Sequence, residues 1–159
     1  MGDSKQAKKS KKEPKTSSNF KTNDKQTRVK IDPDDNHAKP SWRMGSIDLD
    51  CKWSFAELNI DRLHEIISKL RNFETMTWQE ILDASGGRKR GNGNNNHEVP
   101  VSDLIAAARK RLKELKLDDQ TSLFSLRLKG KQRIWGILDG HVLRLLWHDD
   151  NHQICPKLK

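Results

Sequence analysis

Five residues near the C-terminus, His148-Asp149-Asp150-Asn151-His152, hold most of what this sequence offers for proton chemistry. Histidine takes up and gives back a proton near neutrality, and a neighbouring carboxylate can orient or tune it. Just upstream, the runs LFSLRL (123–128), QRIWGIL (132–138) and HVLRLLW (141–147) supply Arg127, Arg133, Arg144 and Trp135. Cations for a phosphate, an aromatic for a base and histidines for the protons are the groups that cleavage of an RNA strand needs. Arg133, Arg127, His152 and His148 are therefore the candidate catalytic residues, with His97 as a second proton carrier. Trp135 and Arg144 are candidate RNA contacts, and Asp149 reads as an orienting or turn-capping residue.

Metal and nucleotide chemistry fit less well. His148, His152 and Cys155 could supply three zinc ligands, but their spacing matches no standard zinc signature and HDDNH is not on a helix, so no metal and no cofactor is expected. The stretch SGGRKRGNGNNN (85–96) contains neither G-x-x-x-x-G-K-[ST] nor a complete G-x-G-x-x-G. Its Arg88, Lys89 and Arg90 can touch a phosphate backbone, and an ordinary mobile surface loop is the alternative.

Strands must position these groups. From Leu123 onward the apolar residues alternate with a period of two, and Asp139-Gly140 is a strong hairpin signal. A two-residue turn there pairs Leu138 with His141, Trp135 with Arg144 and Arg133 with Leu146. A three-residue loop at 129–131 pairs Arg127 with Arg133. One face then carries Phe124, Leu126, Leu128, Ile134, Leu138, Leu143, Leu145 and Trp147 as core. The other carries Ser125, Arg127, Arg133, Trp135, Ile137, Val142, Arg144, Leu146 and His148. Arginines directly opposite one another repel unless an anion lies between them, so this second face reads as a phosphate platform. The alternative is a face covered by residues 31–36 or by another subunit.

Helices must cover the first face. Leu63, Ile66, Ile67 and Leu70 form an amphipathic stripe capped by Asn59 or Asp61. Thr77 and Glu80 form a capping box, with Met76 and Ile81 as its staple. A third helix is expected behind Ser102, with Leu104, Ile105, Ala108, Leu112 and Leu115 buried and Arg109, Lys110, Arg111, Lys113 and Lys116 outside.

Charge is concentrated elsewhere. Residues 1–30 hold ten Lys or Arg against three Asp or Glu, so most of the net +9 of the 159-residue chain sits there. Such a segment has too little apolar surface to order itself and is expected to be a disordered basic tail. It attracts nucleic acid without sequence preference, or serves only as a solubilising leader. With Pro33 and Pro40 marking a linker, residues 1–45 read as tail and linker and 46–159 as a single domain starting near Ser46. There is no membrane-spanning apolar run and no secretory h-region, and the two cysteines suit a reducing compartment. A soluble cytoplasmic protein is expected.

The run of helices followed by LRLKGKQRIWGILDGHVLRLLWHDDNH resembles, in layout over about residues 104–152, the RelE-like toxins, including the YoeB type. The longer pattern TWQEIL, HEVPVSDL, LRLKGKQRIWG and LLWHDDNHQICP, over residues 53–156, is similar to a widespread group of small uncharacterised prokaryotic proteins ending in W-x-D-x-x-H. The RelE-like resemblance implies an α+β domain, about three helices packed on a small antiparallel β-sheet. It implies ribosome-dependent mRNA cleavage without metal, and an antitoxin partner. By position Arg127 and Arg133 correspond to the strand-face arginines, and His148 or His152 to the terminal histidine. The chain departs from that family in having no Tyr and no clear counterpart of the acidic general base. A metal-independent endoribonuclease toxin acting on RNA or the ribosome is thus one expectation. A non-catalytic module that binds RNA, ribosome or protein through the same basic face is the other.

Overall fold

A computed structural model of the chain describes residues 35–84 and 95–156. The expected tail and the Arg88-Lys89-Arg90 triplet lie outside these residues. The elements are β1 (Ser41–Arg43), α1 (Ile60–Phe73), α2 (Trp78–Asp83), β2 (His97–Pro100), α3 (Ala106–Glu114), β3 (Ser122–Arg127), β4 (Arg133–Asp139) and β5 (Val142–Asp149). The five strands form one sheet in the order β1-β5-β4-β3-β2. β1 runs parallel to β5 and the other pairs are antiparallel. The architecture is α+β, with a mixed sheet rather than the antiparallel one expected.

Local signals set the helix starts. Asn59 accepts from the Arg62 amide at 2.8 Å, and the Thr77–Glu80 capping box is complete. On α1 the buried residues are Ile66, Leu70 and Phe73. Leu63 and Ile67, expected in the stripe, are 39% and 45% exposed. α3 starts later than Ser102: Val101–Asp103 form a 3-10 turn, and Ile105 takes the N-cap position with no side-chain bond. The sheet begins before the expected domain start at Ser46. Trp42 of β1 packs edge-on against Phe73 and Trp78, and that burial fixes residues read as linker.

Both faces of the sheet are covered. α1 and α2 place Ile66, Leu70, Phe73, Trp78 and Ile81 against Phe124, Leu126, Ile134, Leu143 and Leu145. On the other side α3 brings Ala108 and Leu112, joined by Leu104 just before it and by Trp53 and Ile154, onto Leu123, Trp135, Ile137, Leu146 and Trp147. The face read as an open phosphate platform is therefore largely a second core. Its cover is α3; of the stretch 31–36, residues 31–34 lie outside the described residues, and Asp35 lies at the hairpin tip, 3.6 Å from the His141 imidazole.

Two details of register decide where the site residues fall. The turn is Gly140-His141, with Asp139 opposite Val142. Gly140 has φ +58 and His141 does not share the positive φ, which is the glycine-first pattern of a type II′ turn. The expected pairing of Trp135 with Arg144 gives way to Ile137 with Arg144. Further along, Gly136 faces Leu145 while Trp135 faces Trp147, leaving Leu146 as the extra residue of a β-bulge. A Cβ on Gly136 would overlap the Arg144 carbonyl, so the close approach there requires glycine. Beyond the bulge every side chain of β5 changes face relative to the unbulged frame. Trp147 thus joins the α3-side core instead of the Phe124 face.

Candidate functional site

The bulge also separates the candidates. His148 pairs with Ile134 and its ring lies 6.0 Å from that of Phe55, both on the α1 side. Its amide donates to the Trp53 carbonyl at 2.9 Å, and Nε2 lies 3.4 Å from an Asp150 carboxylate oxygen that also accepts from Arg62. Burial holds its pKa below the ordinary histidine value, against the pull of Asp150. His148 was expected on the arginine face; it is on the opposite one.

Arg127 and Arg133 are directly opposed across β3–β4, as the three-residue loop predicts. The next strand places Asp149 beside Arg133, and on the far side His97 pairs with Ser125, two residues from Arg127. In an antiparallel sheet a direct pair has Cβ atoms about 5 Å apart and a diagonal pair about 7–8 Å apart. His97, Arg127, Arg133 and Asp149 therefore form one patch on the α3 side, at the end of the sheet.

Each member has a local anchor. The Arg127 guanidinium donates to Asn95, and its amide donates to Asn96 at 2.8 Å. Asn96, fully buried, also donates to the Ile81 carbonyl at 2.8 Å, so it ties α2 to the end of β3. Arg133 is 8% exposed and donates from Nη1 to the carbonyls of Gly130 and Gln132, both at 2.9 Å. Burial first, then the nearby Arg127, lowers its pKa, with Asp149 opposing. Two carbonyl dipoles and a second guanidinium surround a charge that lacks a paired carboxylate among the described residues.

Asp149 is occupied by backbone donors. Its carboxylate accepts from the amides of Asn151, Gln153 and Ile154 at 3.2, 2.9 and 2.9 Å. That cage holds the turn carrying His152, whose φ of +59 is a left-handed conformation uncommon for a non-glycine residue. Asp149, expected as an orienting or turn-capping residue, accepts from the backbone of the turn in which His152 lies.

The other candidates fall elsewhere. Trp135 is completely buried and presents no face to a base. Arg144 lies five residues before Asp149, about 16 Å along β5, and bonds Ser46. His148, His152 and Cys155 do not converge: among the described residues no group of three or more His, Cys, Asp or Glu is placed to hold a metal ion. No helix among them is long and apolar enough to cross a membrane. Neither Asn95 and Asn96 nor Arg62 stands out in the sequence, since a pair of Asn at a strand entrance carries no spacing signal. No protein-family model, no curated protein and no solved structure matches this chain.

Proposed function

We propose that the protein acts on RNA, as a RelE-like endoribonuclease working at the sheet end. The observation that carries this reading is the opposed pair Arg127 and Arg133, held without a paired carboxylate among the described residues, on the face that also presents His97 and the turn of His152. Such a pair is a cost to the fold until an anion lies between the guanidinium groups. In the proposed step one histidine takes the 2′-hydroxyl proton and the 2′-oxygen attacks phosphorus. The bond to the 5′-oxygen breaks, and the second histidine gives that oxygen its proton, leaving a 2′,3′-cyclic phosphate and a 5′-hydroxyl. Arg127 and Arg133 stabilise the charge of the phosphorane, and no cofactor enters the reaction. The ribosome as the place of cleavage and an antitoxin as partner belong to the same reading.

A non-catalytic RNA- or ribosome-binding module is favoured by one feature, the occupation of Asp149 by three backbone amides. The two readings separate in a translating cell-free extract. Cleavage by the wild type that is lost in Arg133→Ala and in His152→Ala, both folded by circular dichroism, supports the nuclease. Salt-dependent RNA binding that needs Arg127 and Arg133, with no cleavage and no effect of His152→Ala, supports the binding module. Neither cleavage nor binding by the wild type would overturn both.

A further inference from the structure

Across the sheet end from Arg127 and Arg133, α1 and the β3–β4 turn leave a groove of about 290 Å³, just below the range for drug-sized ligand sites, roughly 300–1,000 Å³. Ile66 and Leu128, both buried, give it apolar walls. Asn72 and Gln132 bring carboxamides, and Lys69 and Lys129 bring ammonium groups that form no ion pair among the described residues. The carboxylate in the lining, Glu65, is already bonded by Arg62 at 2.6 Å.

Arg62 organises this groove. It holds Glu65 on its own helix and Asp150 beyond β5, and it reaches the Gln132 side-chain oxygen once that amide is oriented to accept. The amide nitrogen of Gln132 is then left as a donor. Arg133 grips the same turn from the opposite side of the sheet through the Gly130 and Gln132 carbonyls. One three-residue turn is thus a wall of the groove and an anchor of the phosphate-seeking arginine.

We propose that the groove is a nucleotide subsite that seats one nucleotide of the strand bound at Arg127 and Arg133. This rests on the reading of the sheet end as RNA-directed. The chemistry is that of a nucleotide: apolar walls for the faces of a base, carboxamides for the donors and acceptors of its edge, and for its phosphate two ammonium groups, Lys129 and Lys69, the latter 5.3 Å over the Phe73 ring. It also supplies the base-binding role for which Trp135 is unavailable.

The test is an NMR titration of the full chain with adenosine and uridine 5′-monophosphates, run beside RNA binding by Arg127→Ala. Shifts of the Asn72 and Gln132 side-chain amides are expected. Ser68→Trp, which fills the groove from an exposed helix position, should weaken nucleotide binding at least tenfold without changing the circular dichroism. Asn72→Ala should change the ratio of adenosine to uridine affinity. Unmoved amides at millimolar nucleotide, or binding indifferent to Ser68→Trp, would overturn the subsite even if RNA binding still requires Arg127. Nucleotide entry together with RNA binding insensitive to Arg127 and Arg133 would uphold the groove and remove the phosphate site.

Discussion

Two arginines on the α3 side of the sheet meet opposite fates. Arg111 forms a bidentate pair with Asp48, Nε and Nη2 each 2.7 Å from a carboxylate oxygen, and Nη1 reaches Glu114 at 2.9 Å. Its pKa is raised by that carboxylate, and Asp48 is held well below the usual carboxylate range by Arg111 despite its burial. Arg133 has carbonyl oxygens for partners, and burial, with Arg127 nearby, lowers its pKa. A cation whose charge is answered within the fold contributes structure. One left facing another cation is the place where the proposed RNA phosphate would bind.

The largest effect should come from breaking the answered pair. Asp48 has a side chain 1% exposed that also accepts from Trp147 Nε1 at 3.1 Å. Asp48→Asn breaks the bidentate pair, leaves Arg111 only Glu114 and should lower the urea midpoint more than the other substitutions considered below. The pH dependence follows the same pair. A carboxylate with a depressed folded pKa contributes stability that is present above its unfolded value of about 3.9 and is lost as pH falls through the folded one. The acid limb of the stability curve should therefore flatten in Asp48→Asn. An unchanged limb would place the acid sensitivity elsewhere. Cys51, whose thiol burial and Asp48 push up to about 11, should alkylate faster in the same variant.

Next comes the bulge that keeps the two sides of the site apart. In Gly136→Ala the new methyl meets backbone, the Arg144 carbonyl, which cannot swing away. A loss of about 2 kcal/mol is expected, with changed nuclear Overhauser contacts between His148 and Phe55. A variant of wild-type stability would show that the bulge does not need its glycine.

The unanswered pair should respond with the opposite sign. Arg127→Gln removes a like-charge cross-strand pair and should stabilise the fold by about 0.5 kcal/mol, a gain that shrinks in salt. RNA affinity should fall about tenfold in the same variant. Stability and affinity falling together would mean that Arg127 acts as a structural group.

What could be read from the sequence divides along the same lines. The three-residue β3–β4 loop, the Arg127–Arg133 opposition, the Thr77 capping box and the Asn59 cap are local, and local chemistry fixes them. The cover on the arginine face was not legible from the strand pattern alone. α3 has one apolar stripe, and nothing in its sequence says which side of the sheet will receive it. A hint was present in Ile137, Val142 and Leu146, because a face that is apolar between its charges is the mark of a sheet buried on both sides. The bulge was illegible for a different reason. It depends on how closely Gly136 approaches the Arg144 carbonyl, a contact between strands, and that one extra residue carried His148 away from the arginines.

His148 gives the smallest effect and the finest test of the contrast. It is a histidine 3.4 Å from a carboxylate, as a charged partner would be, yet its side chain is 4% exposed and burial outweighs Asp150 in setting its pKa. A histidine with a depressed folded pKa favours folding above its unfolded value of about 6.5, and that stability is lost as pH falls through the folded value. Two-dimensional NMR should find His148 titrating below the ordinary histidine range, and lower still in Asp150→Asn, where the attraction of the carboxylate is removed. A titration above that range would make His148 and Asp150 an ion pair like that of Arg111 and Asp48. The proton chemistry would then return to the α1 side, and His97 and His152 would lose their claim to it.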